Sequence, residues 1–253
     1  MALIDTHCHI QDDEYNYDIP AVLDRAKSAG VEKMICIGTD FRTSKLAVDL
    51  AEQYSQIYAV IGVHPHETNK EKNDIETLIA NKKIVGIGEI GLDYFYLHSP
   101  KDIQIKLLKR QLKIAIKHKL PVVFHVRDAF LDFWEIYDEI IKPEDNFRAV
   151  LHSYTDDMYN LKEALKRGLF IGVNGISTFT KDNSQIEVFK SIPLDSLVIE
   201  TDSPYLTPKP FRGTINEPAY CKQIAEFWAN LLGKSIIEIE KSTTANANKL
   251  FNL

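Results

Sequence analysis

The sequence predicts a single domain over residues 1–253 with an α/β fold, a (β/α)₈ TIM-like barrel. Three observations indicate this class: eight short apolar runs occur, longer amphipathic segments lie between them, and 253 residues is a usual length for one such barrel. An open doubly wound sheet is the alternative. Its dinucleotide-binding form needs a glycine-rich turn that leads directly into a helix, and no predicted helix follows Gly86–Gly91 at once.

The eight apolar runs are predicted to be parallel strands. Their residues are almost continuously apolar, as expected for strands that are buried on both faces. In chain order the predicted strands are Ala2–His9, Lys33–Gly38, Ile57–His64, Ile84–Asp93, Pro121–Val126, Arg148–Ser153, Leu169–Gly175 and Ser196–Thr201.

Helical periodicity is clearest between Lys101 and Lys119. Apolar residues recur there at intervals of three and four positions, which predicts one buried stripe. The stripe consists of Ile105, Leu108, Leu112, Ala115 and Ile116. The other predicted helices are Ile19–Ala29, Arg42–Tyr54, Asp74–Asn81, Ala129–Ile141, Met158–Lys166, Asn183–Lys190, Glu217–Leu232 and Ser235–Leu250.

Charge and composition narrow the possible partners. The net charge of −6 argues against extensive electrostatic contact with duplex DNA, but it allows an enzyme to grip a few nucleotides at a strand end. Three cysteines without a CxxC pair fit a reducing compartment. The first residues do not resemble a signal peptide, and no apolar run reaches the roughly 18 residues of a membrane span. We therefore expect a cytoplasmic protein with no membrane partner.

Polar side chains that can bind metal collect at the C-terminal ends of the predicted strands, where (β/α)₈ barrels carry their active sites. Five of the eight histidines fall there, namely His7, His9, His64, His125 and His152. Two carboxylates, Glu89 and Asp202, end further strands. Because these strand ends meet at one mouth of a barrel, we expect the side chains to converge there.

His7 and His9 lie on one face of the first strand, because side chains two residues apart in a strand point the same way. Two buried imidazoles need partners for their ring nitrogens, which a divalent metal or protein hydrogen bonds can provide. Both interpretations are open for this motif alone. Asp5 shares the face and is expected to support the histidines, whereas Cys8 points the other way and is expected in the core.

The remaining candidates each have an alternative interpretation. Glu89 lies in an apolar strand, where an unpaired carboxylate is costly to bury, so it either forms a salt bridge or bridges two metal ions. His125 and His152 follow successive strands at the same end, which favours metal ligation over two unrelated core histidines. Asp202 either caps a turn or binds metal or a proton, and Glu200 is expected to support it from the same face.

Six segments carry a resemblance to a known family. They are DTHCHI at 5–10, GVHPHE at 62–67, GEIGLDYF at 88–95, PVVFHVRDA at 121–129, ETDSPYLTP at 200–208 and NEPAY at 216–220. Together, in this order and across essentially the whole chain, they resemble the TatD family of metal-dependent deoxyribonucleases. The resemblance implies a TIM-like barrel related to the amidohydrolases that holds two divalent metal ions and hydrolyses phosphodiester bonds of nucleic acid.

The resemblance also implies roles for individual residues. The implied metal ligands are His7, His9, Glu89, His125, His152 and Asp202. His7 and His9 would bind the first ion, His125 and His152 the second, and Glu89 would bridge the two. Asp202 would bind the first ion and take the proton of the attacking water, so Asp202 and Glu89 are the expected catalytic residues.

Three residues are candidates for binding the substrate. The resemblance places His64 near the substrate phosphate, with an outer hydrogen bond as the alternative. Arg127 is expected to hold a phosphate, or else to form an ion pair with Asp128 or Asp93. Phe95 is expected to stack on a base of single-stranded nucleic acid, and the alternative is packing of its loop against the barrel mouth.

The sequence leaves open which metal ion is bound and which kind of bond is hydrolysed. Histidine-rich ligation suits Zn, Mn, Co or Ni, while the family resemblance suggests that Mg supports turnover. The expected function is a deoxyribonuclease, an exonuclease on single-stranded DNA or RNA. The alternatives are an amidohydrolase, lactonase or phosphotriesterase that acts on a small molecule or an aminoacyl ester, and a metal-bearing barrel without activity.

Overall fold

The computed structural model of the chain describes residues 2–69 and 74–253, and strands alternate with helices along these ranges. Most residues of the strands are buried, as the apolar runs predicted. The strands are β1 (Leu3–Cys8), β2 (Val31–Ile37), β3 (Ile57–Ile61), β4 (Ile84–Asp93), β5 (Val122–Arg127), β6 (Ala149–Leu151), β7 (Phe170–Val173) and β8 (Leu197–Ile199).

The helices of the described residues follow the strands in the predicted order. They are α1 (Ile19–Ser28), α2 (Phe41–Gln53), α3 (Lys101–His118), α4 (Phe130–Ile140), α5 (Met158–Lys166), α6 (Ile176–Phe179), α7 (Asn183–Lys190), α8 (Cys221–Leu232) and α9 (Ile236–Phe251). Short 3₁₀ helices lie at Asp13–Tyr15, Ile75–Leu78, Pro143–Asp145 and Pro218–Tyr220. Among the described residues, none of these helices has the length and apolar composition needed to cross a lipid bilayer.

Most predicted elements agree with the structure to within a few residues, and the differences have local causes. The segment predicted as a helix at Asp74–Asn81 is instead a single 3₁₀ turn, Ile75–Leu78. The Asp74 side chain caps its start by accepting from Glu76 N. β3 ends at Ile61, so His64 lies in the following loop rather than in the strand. Gly86, Gly88 and Gly91 have G-x-G-x-x-G spacing but lie inside β4, which a loop follows, so they do not form a dinucleotide-binding turn.

The chain divides into two compact units. The terminal unit contains residues 1–36 and 152–253, and the central unit contains residues 37–151. In the terminal unit, β7 pairs in parallel with β8, and β1 pairs in parallel with β2. The segment after β8 joins the end of β1, because Asp202 N donates to the His7 carbonyl at 2.8 Å and His9 N donates to the Ser203 carbonyl at 2.7 Å. These bonds place Asp202 beside the two histidines.

The central unit holds the parallel strands β3, β4, β5 and β6 in this order. Gly91 of β4 lies opposite His125 of β5 in the pairing register. A Cβ atom at Gly91 would fall 1.7 Å from the His125 carbonyl oxygen, so only glycine allows this close approach. The two strands thereby carry Glu89 and His125 side by side.

Two buried glutamines of α3 fix the loops after β3 and β4. Gln111 accepts from Val63 N at 2.8 Å and donates to the Val63 carbonyl at 3.1 Å. Gln104 accepts from Asp93 N at 2.9 Å and donates to the Asp93 and Ser99 carbonyls at 3.0 and 2.8 Å. Buried backbone N–H and C=O groups of these loops need hydrogen-bond partners, and two side chains of one helix provide them.

The buried face of α3 therefore differs from the predicted apolar stripe. Leu108, Leu112 and Ala115 are buried as predicted, but Ile105 and Ile116 are only half-buried. Gln104 and Gln111 take part in the buried face, because the adjacent loops present backbone polar groups and not side chains at these positions.

Replacing Gln111 by leucine is expected to lower the free energy of unfolding by about 2–5 kcal/mol, because two buried backbone groups of Val63 lose their partners. Thermal or urea denaturation measures the change. Gln53→Leu is the matched control, because Gln53 is exposed and its replacement should change stability by no more than about 0.5 kcal/mol. Equal stability of the two variants would contradict the role of Gln111.

Candidate metal centre

The first cluster lies in the terminal unit, where β1 and the segment after β8 meet. The Nε2 atoms of His7 and His9 are 3.1 Å apart, and Oδ1 of Asp202 lies 3.5 Å from each of them. Asp202 has a left-handed backbone with φ of 57°, a conformation that aspartate tolerates better than most residues. Three atoms of ligand type from three residues thus face one another.

His152 joins this cluster from the end of β6. Its ring stacks on that of His7 with the centroids 3.8 Å apart, and His7, His152 and Asp202 offer ligand atoms within 4.8 Å of one another. Nδ1 of His152 lies 3.2 Å from Oε1 of Glu200, which also accepts from Ser153 N at 2.7 Å. A carboxylate at Nδ1 favours the proton on that nitrogen and the lone pair on Nε2. Glu200 has the supporting role expected from the sequence, although its contact is with His152.

Burial acts to raise the pKa of both Asp202 and Asp5, and neighbouring imidazoles reverse the shift only at Asp202. Burial by itself raises the pKa of Asp202, but a hydrogen bond from His9 and the nearby His152 and His7 outweigh it and lower the pKa. Asp202 is therefore ionised at neutral pH. Burial raises the pKa of Asp5 to about 7, although Thr201 donates two hydrogen bonds to it. Asp5 also accepts from His7 N at 3.3 Å, so it supports the histidine through its backbone.

The second cluster lies in the central unit and combines His64, Glu89 and His125. Oε1 of Glu89 lies 3.0 Å from Nδ1 of His125 and 3.5 Å from Nε2 of His64. The three residues offer ligand atoms within 4.8 Å of one another. Glu89 is 4% exposed, so its polar contacts come mainly from these neighbours rather than from water.

His64 is neutral at pH 7 and donates from Nε2. Burial lowers its pKa to about 4, with the neighbouring Glu89 opposing this shift. Nδ1 accepts a hydrogen bond from the backbone N–H of His66 at 3.2 Å, so the single proton of the neutral ring is on Nε2. His64 therefore presents a hydrogen-bond donor towards Glu89 and not a positive charge.

Asp93, at the end of β4, connects the second cluster to a loop. Its Oδ2 lies 2.9 Å from Nε2 of His125 and 3.0 Å from Nε2 of His66. Its Oδ1 accepts from Phe95 N at 3.0 Å and Tyr96 N at 2.9 Å. Burial acts to raise the pKa of Asp93, but hydrogen bonds from the two histidines and the loop lower it below its usual range.

The loop after β4 exposes aromatic side chains and stacks them on arginine. Phe95 is 54% exposed and Tyr96 is 51% exposed. The guanidinium carbon of Arg127 lies 4.1 Å from the Phe95 ring centroid and 4.8 Å from that of Tyr96. We call Tyr94–His98 the aromatic loop. The Phe95 ring is half exposed and also packs against Arg127, and its stacking on a base stays a prediction.

The donor set of both clusters fits divalent metal ions. Two ligand atoms that share an ion at 2.0–2.2 Å lie roughly 2.8 to 3.6 Å apart. The distances among His7, His9 and Asp202, and between Glu89 and His125, fall in this range at 3.0 to 3.5 Å. Nδ1 of His125 and Oε1 of Glu89 lie 3.0 Å apart, so one cation could take both atoms as ligands.

The structure thus brings together His7, His9, His152 and Asp202 in one unit, and His64, Glu89 and His125 in the other. The bridging role of Glu89 and the sharing of one ion by His125 and His152 stay predictions. The sequence reasoning missed His66 and the orienting role of Asp93. The GVHPHE segment carried a signal for His66, because its second histidine is two residues after His64.

Among the described residues, eight strands that alternate with helices, with imidazole and carboxylate side chains at the strand ends, define the class of the (β/α)₈ metal-dependent hydrolases. The chain belongs to the TatD related DNase family, whose model matches residues 4–252. This membership confirms the family resemblance that the six sequence segments carry.

Individual relatives match over nearly their whole length. The chain is 39% identical over 255 residues to an uncharacterized metal-dependent hydrolase, YabD, of Bacillus subtilis, with 99% of each chain covered. It is 33% identical over 260 residues to the 3'-5' ssDNA/RNA exonuclease TatD of Citrobacter rodentium, with 99% of this chain and 98% of that protein covered. The crystal structure of YJJV, a TatD homolog from Escherichia coli, matches with a TM-score of 0.91 at 30% identity, covering 99% of this chain and 98% of that one. The predicted (β/α)₈ fold class is confirmed.

Adding Mn²⁺ or Zn²⁺ to metal-free protein at about 100 times the dissociation constant is expected to raise the Tm by about 5–10 °C, because an ion that binds only the folded state stabilises it. His9→Ala and His125→Ala should each reduce the rise. His118→Ala is the control. His118 is the last residue of α3, contacts Glu76, and belongs to neither cluster. Differential scanning fluorimetry measures the shifts, and a rise of wild-type size in both cluster variants would refute the metal centre.

Proposed function

We propose that the protein is a metal-dependent phosphodiester hydrolase that removes nucleotides from the ends of single-stranded DNA or RNA. The observation that carries this proposal is the geometry of the central unit. There, Glu89 and His125 form a metal-type cluster that Asp93 joins to an exposed surface of two aromatic rings and an arginine. The relatives named as a TatD exonuclease and as a metal-dependent hydrolase support the same class of reaction.

Two divalent ions, Mg, Mn or Zn, are proposed as cofactors. The residues that would hold them are His7, His9, Glu89, His125, His152 and Asp202. A divalent ion at such a site supplies Lewis acidity, which lowers the pKa of a water nucleophile and offsets charge on the phosphate. Glu200 and Asp93 orient the rings of His152 and His125, so the ligands keep their geometry before an ion binds.

Asp202 is the proposed proton acceptor. Its lowered pKa keeps it ionised at neutral pH, and it lies between two imidazoles that hold its position. A carboxylate in this state can take the proton of the attacking water as the bond to phosphorus forms. Glu89 is the second proposed catalytic residue, because it holds the imidazole of His125 from within β4.

His64 and Arg127 are proposed to bind the phosphate. The Nε2–H of His64 is a neutral donor, so it can bind a phosphate oxygen without the cost of burying a positive charge. The guanidinium of Arg127 lies over Phe95 and Tyr96 and offers a planar set of N–H donors for a phosphate. It would meet the backbone phosphate of the nucleotide whose base stacks on the aromatic loop.

Single strands are the proposed substrate because the aromatic loop offers ring faces that a base inside a duplex cannot reach. Base–aromatic stacking is sequence-tolerant, since every base has an aromatic face. The net charge of −6 agrees with contact to a few nucleotides rather than to a long duplex.

Asp202→Asn is expected to lower the rate of phosphodiester cleavage by about 10²–10⁴-fold, because the amide cannot accept the proton. Glu89→Ala is expected to lower both the rate and the metal content. End-labelled single-stranded DNA with product analysis measures the rate, and elemental analysis measures the metal. Glu139→Ala, which removes an exposed carboxylate paired with Lys109, is the control.

The same assay distinguishes other reactions. Small esters, lactones and cyclic amides are incubated beside the labelled DNA. Turnover of a small molecule without cleavage of DNA would overturn the proposed function, as would full nuclease activity in Glu89→Ala with normal metal content.

Phe95→Ala is expected to weaken binding of a short single-stranded oligonucleotide by about 1–3 kcal/mol, the usual contribution of one stacked base. Fluorescence anisotropy with a labelled oligonucleotide, in the presence of a chelator, measures the affinity without cleavage. Ile237→Ala removes a similarly exposed apolar side chain from α9 and should leave the affinity unchanged. Equal affinities of the two variants would exclude stacking on Phe95.

A further inference from the structure

We propose that Asp93 is a positioning residue that couples metal binding to single-strand binding, because one carboxylate orients the metal-binding ring of His125 and folds the aromatic loop. This inference rests on the proposed function and adds the residue through which the two halves of the site communicate.

The carboxylate of Asp93 is saturated by four donors. Oδ2 faces Nε2 of His125 at 2.9 Å and Nε2 of His66 at 3.0 Å. Oδ1 faces the backbone N–H groups of Phe95 at 3.0 Å and Tyr96 at 2.9 Å. An ionised carboxylate has about four acceptor positions and no proton to donate, and Asp93 is fully buried, so water supplies none of these contacts.

The first consequence concerns which nitrogen of His125 can bind an ion. Nε2 lies 2.9 Å from Oδ2 of Asp93, so the buried carboxylate engages that nitrogen. Nδ1 is the atom that lies 3.0 Å from Oε1 of Glu89. The structure therefore assigns Nδ1 of His125, and not Nε2, as the metal ligand of this ring.

The second consequence concerns the aromatic loop. Phe95 and Tyr96 are about half exposed, so burial of their rings holds the loop only in part. The backbone of the loop is held as well. The Asp93 carboxylate accepts from the backbone N–H groups of Phe95 and Tyr96 in the loop. Gln104 binds the Asp93 backbone before the loop and the Ser99 carbonyl after it.

Both consequences depend on Asp93, whose backbone and carboxylate are each held by hydrogen bonds. Gln104 fixes the backbone of Asp93, the pairing of β4 with β5 brings it opposite Arg127, and its carboxylate fixes His125. A change of charge at Asp93 would therefore disturb the ligand nitrogen of His125 and the loop that carries Phe95 together. Arg127 stacks on the same loop, so a shift of the loop would also displace this proposed phosphate-binding residue.

Asp93→Asn tests the coupling, because it keeps the shape of the side chain and removes its charge. The affinity of the metal-free protein for Zn²⁺ or Mn²⁺, measured by calorimetry, should fall by about 10- to 100-fold. The affinity for a short labelled oligonucleotide, measured in chelator, should fall by at least about fivefold, the equivalent of about 1 kcal/mol. A variant that loses neither affinity would overturn the proposal.

Two control variants separate the halves of the coupling. Phe95→Ala should weaken oligonucleotide binding and leave metal affinity unchanged. Asp132→Asn removes another carboxylate that contacts the loop, through a 2.6 Å bond from the Tyr94 hydroxyl, and should change neither affinity. If Asp132→Asn lowers both affinities as much as Asp93→Asn does, the loss reflects general loop disorder and the specific role of Asp93 is wrong.

A measurement on the wild type needs no variant and no activity. Nitrogen NMR of the imidazoles in Zn²⁺-loaded protein should show the ion bonded to Nδ1 of His125 and a proton on Nε2. Bonding of the ion through Nε2 would overturn the assignment. These readouts do not involve cleavage, so the two hypotheses can fail separately. If the predicted affinities and NMR signals are observed but nucleic acid is not cut, only the proposed function is wrong. If nucleic acid is cut but these results are not observed, only the coupling through Asp93 is wrong.

Discussion

Burial of charge at the strand ends is the constraint on which the rest of the structure depends. Glu89 and Asp202 are carboxylates in apolar surroundings, and each faces imidazole nitrogens at 3.0 to 3.5 Å. Leaving such groups without a partner would cost several kcal/mol each, so the fold has to supply neighbours of complementary charge. It does so with imidazoles that a further carboxylate orients, Asp93 for His125 and Glu200 for His152. The result is a ligand set that is ordered before a cation binds.

The scaffold around these groups consists of backbone contacts rather than of apolar packing alone. Gln104 and Gln111 are seven residues apart on α3, and each binds the backbone of a loop that follows a strand. Gly91 lets β4 approach β5 closely enough to set Glu89 beside His125. The candidate side chains thereby come from strands and from the well-satisfied loops that follow them, and the protein itself orders their geometry.

Family membership and site geometry explain how an acidic protein can act on a polyanion. The negative charges of the site neighbour imidazoles and suit divalent cations, which would reverse the local sign of the potential. Contact with the substrate then needs few basic side chains. Arg127 lies over exposed rings, so it combines charge with a stacking surface. Such a surface recognises the shape of a free strand end more than the charge of a long duplex.

The sequence by itself determined the fold class, the family, and the residues of metal-binding type. Strand periodicity and the order of His7, Glu89, His125, His152 and Asp202 are local properties of the chain, and local patterns predict them well. The tertiary structure alone decided which groups orient these residues. Asp93 contacts His125 across 32 positions and Glu200 contacts His152 across 48, and sequence spacing contains no information about such pairs. The two buried glutamines were missed for the same reason, because their partners are backbone groups, which every residue has and no side-chain pattern reveals.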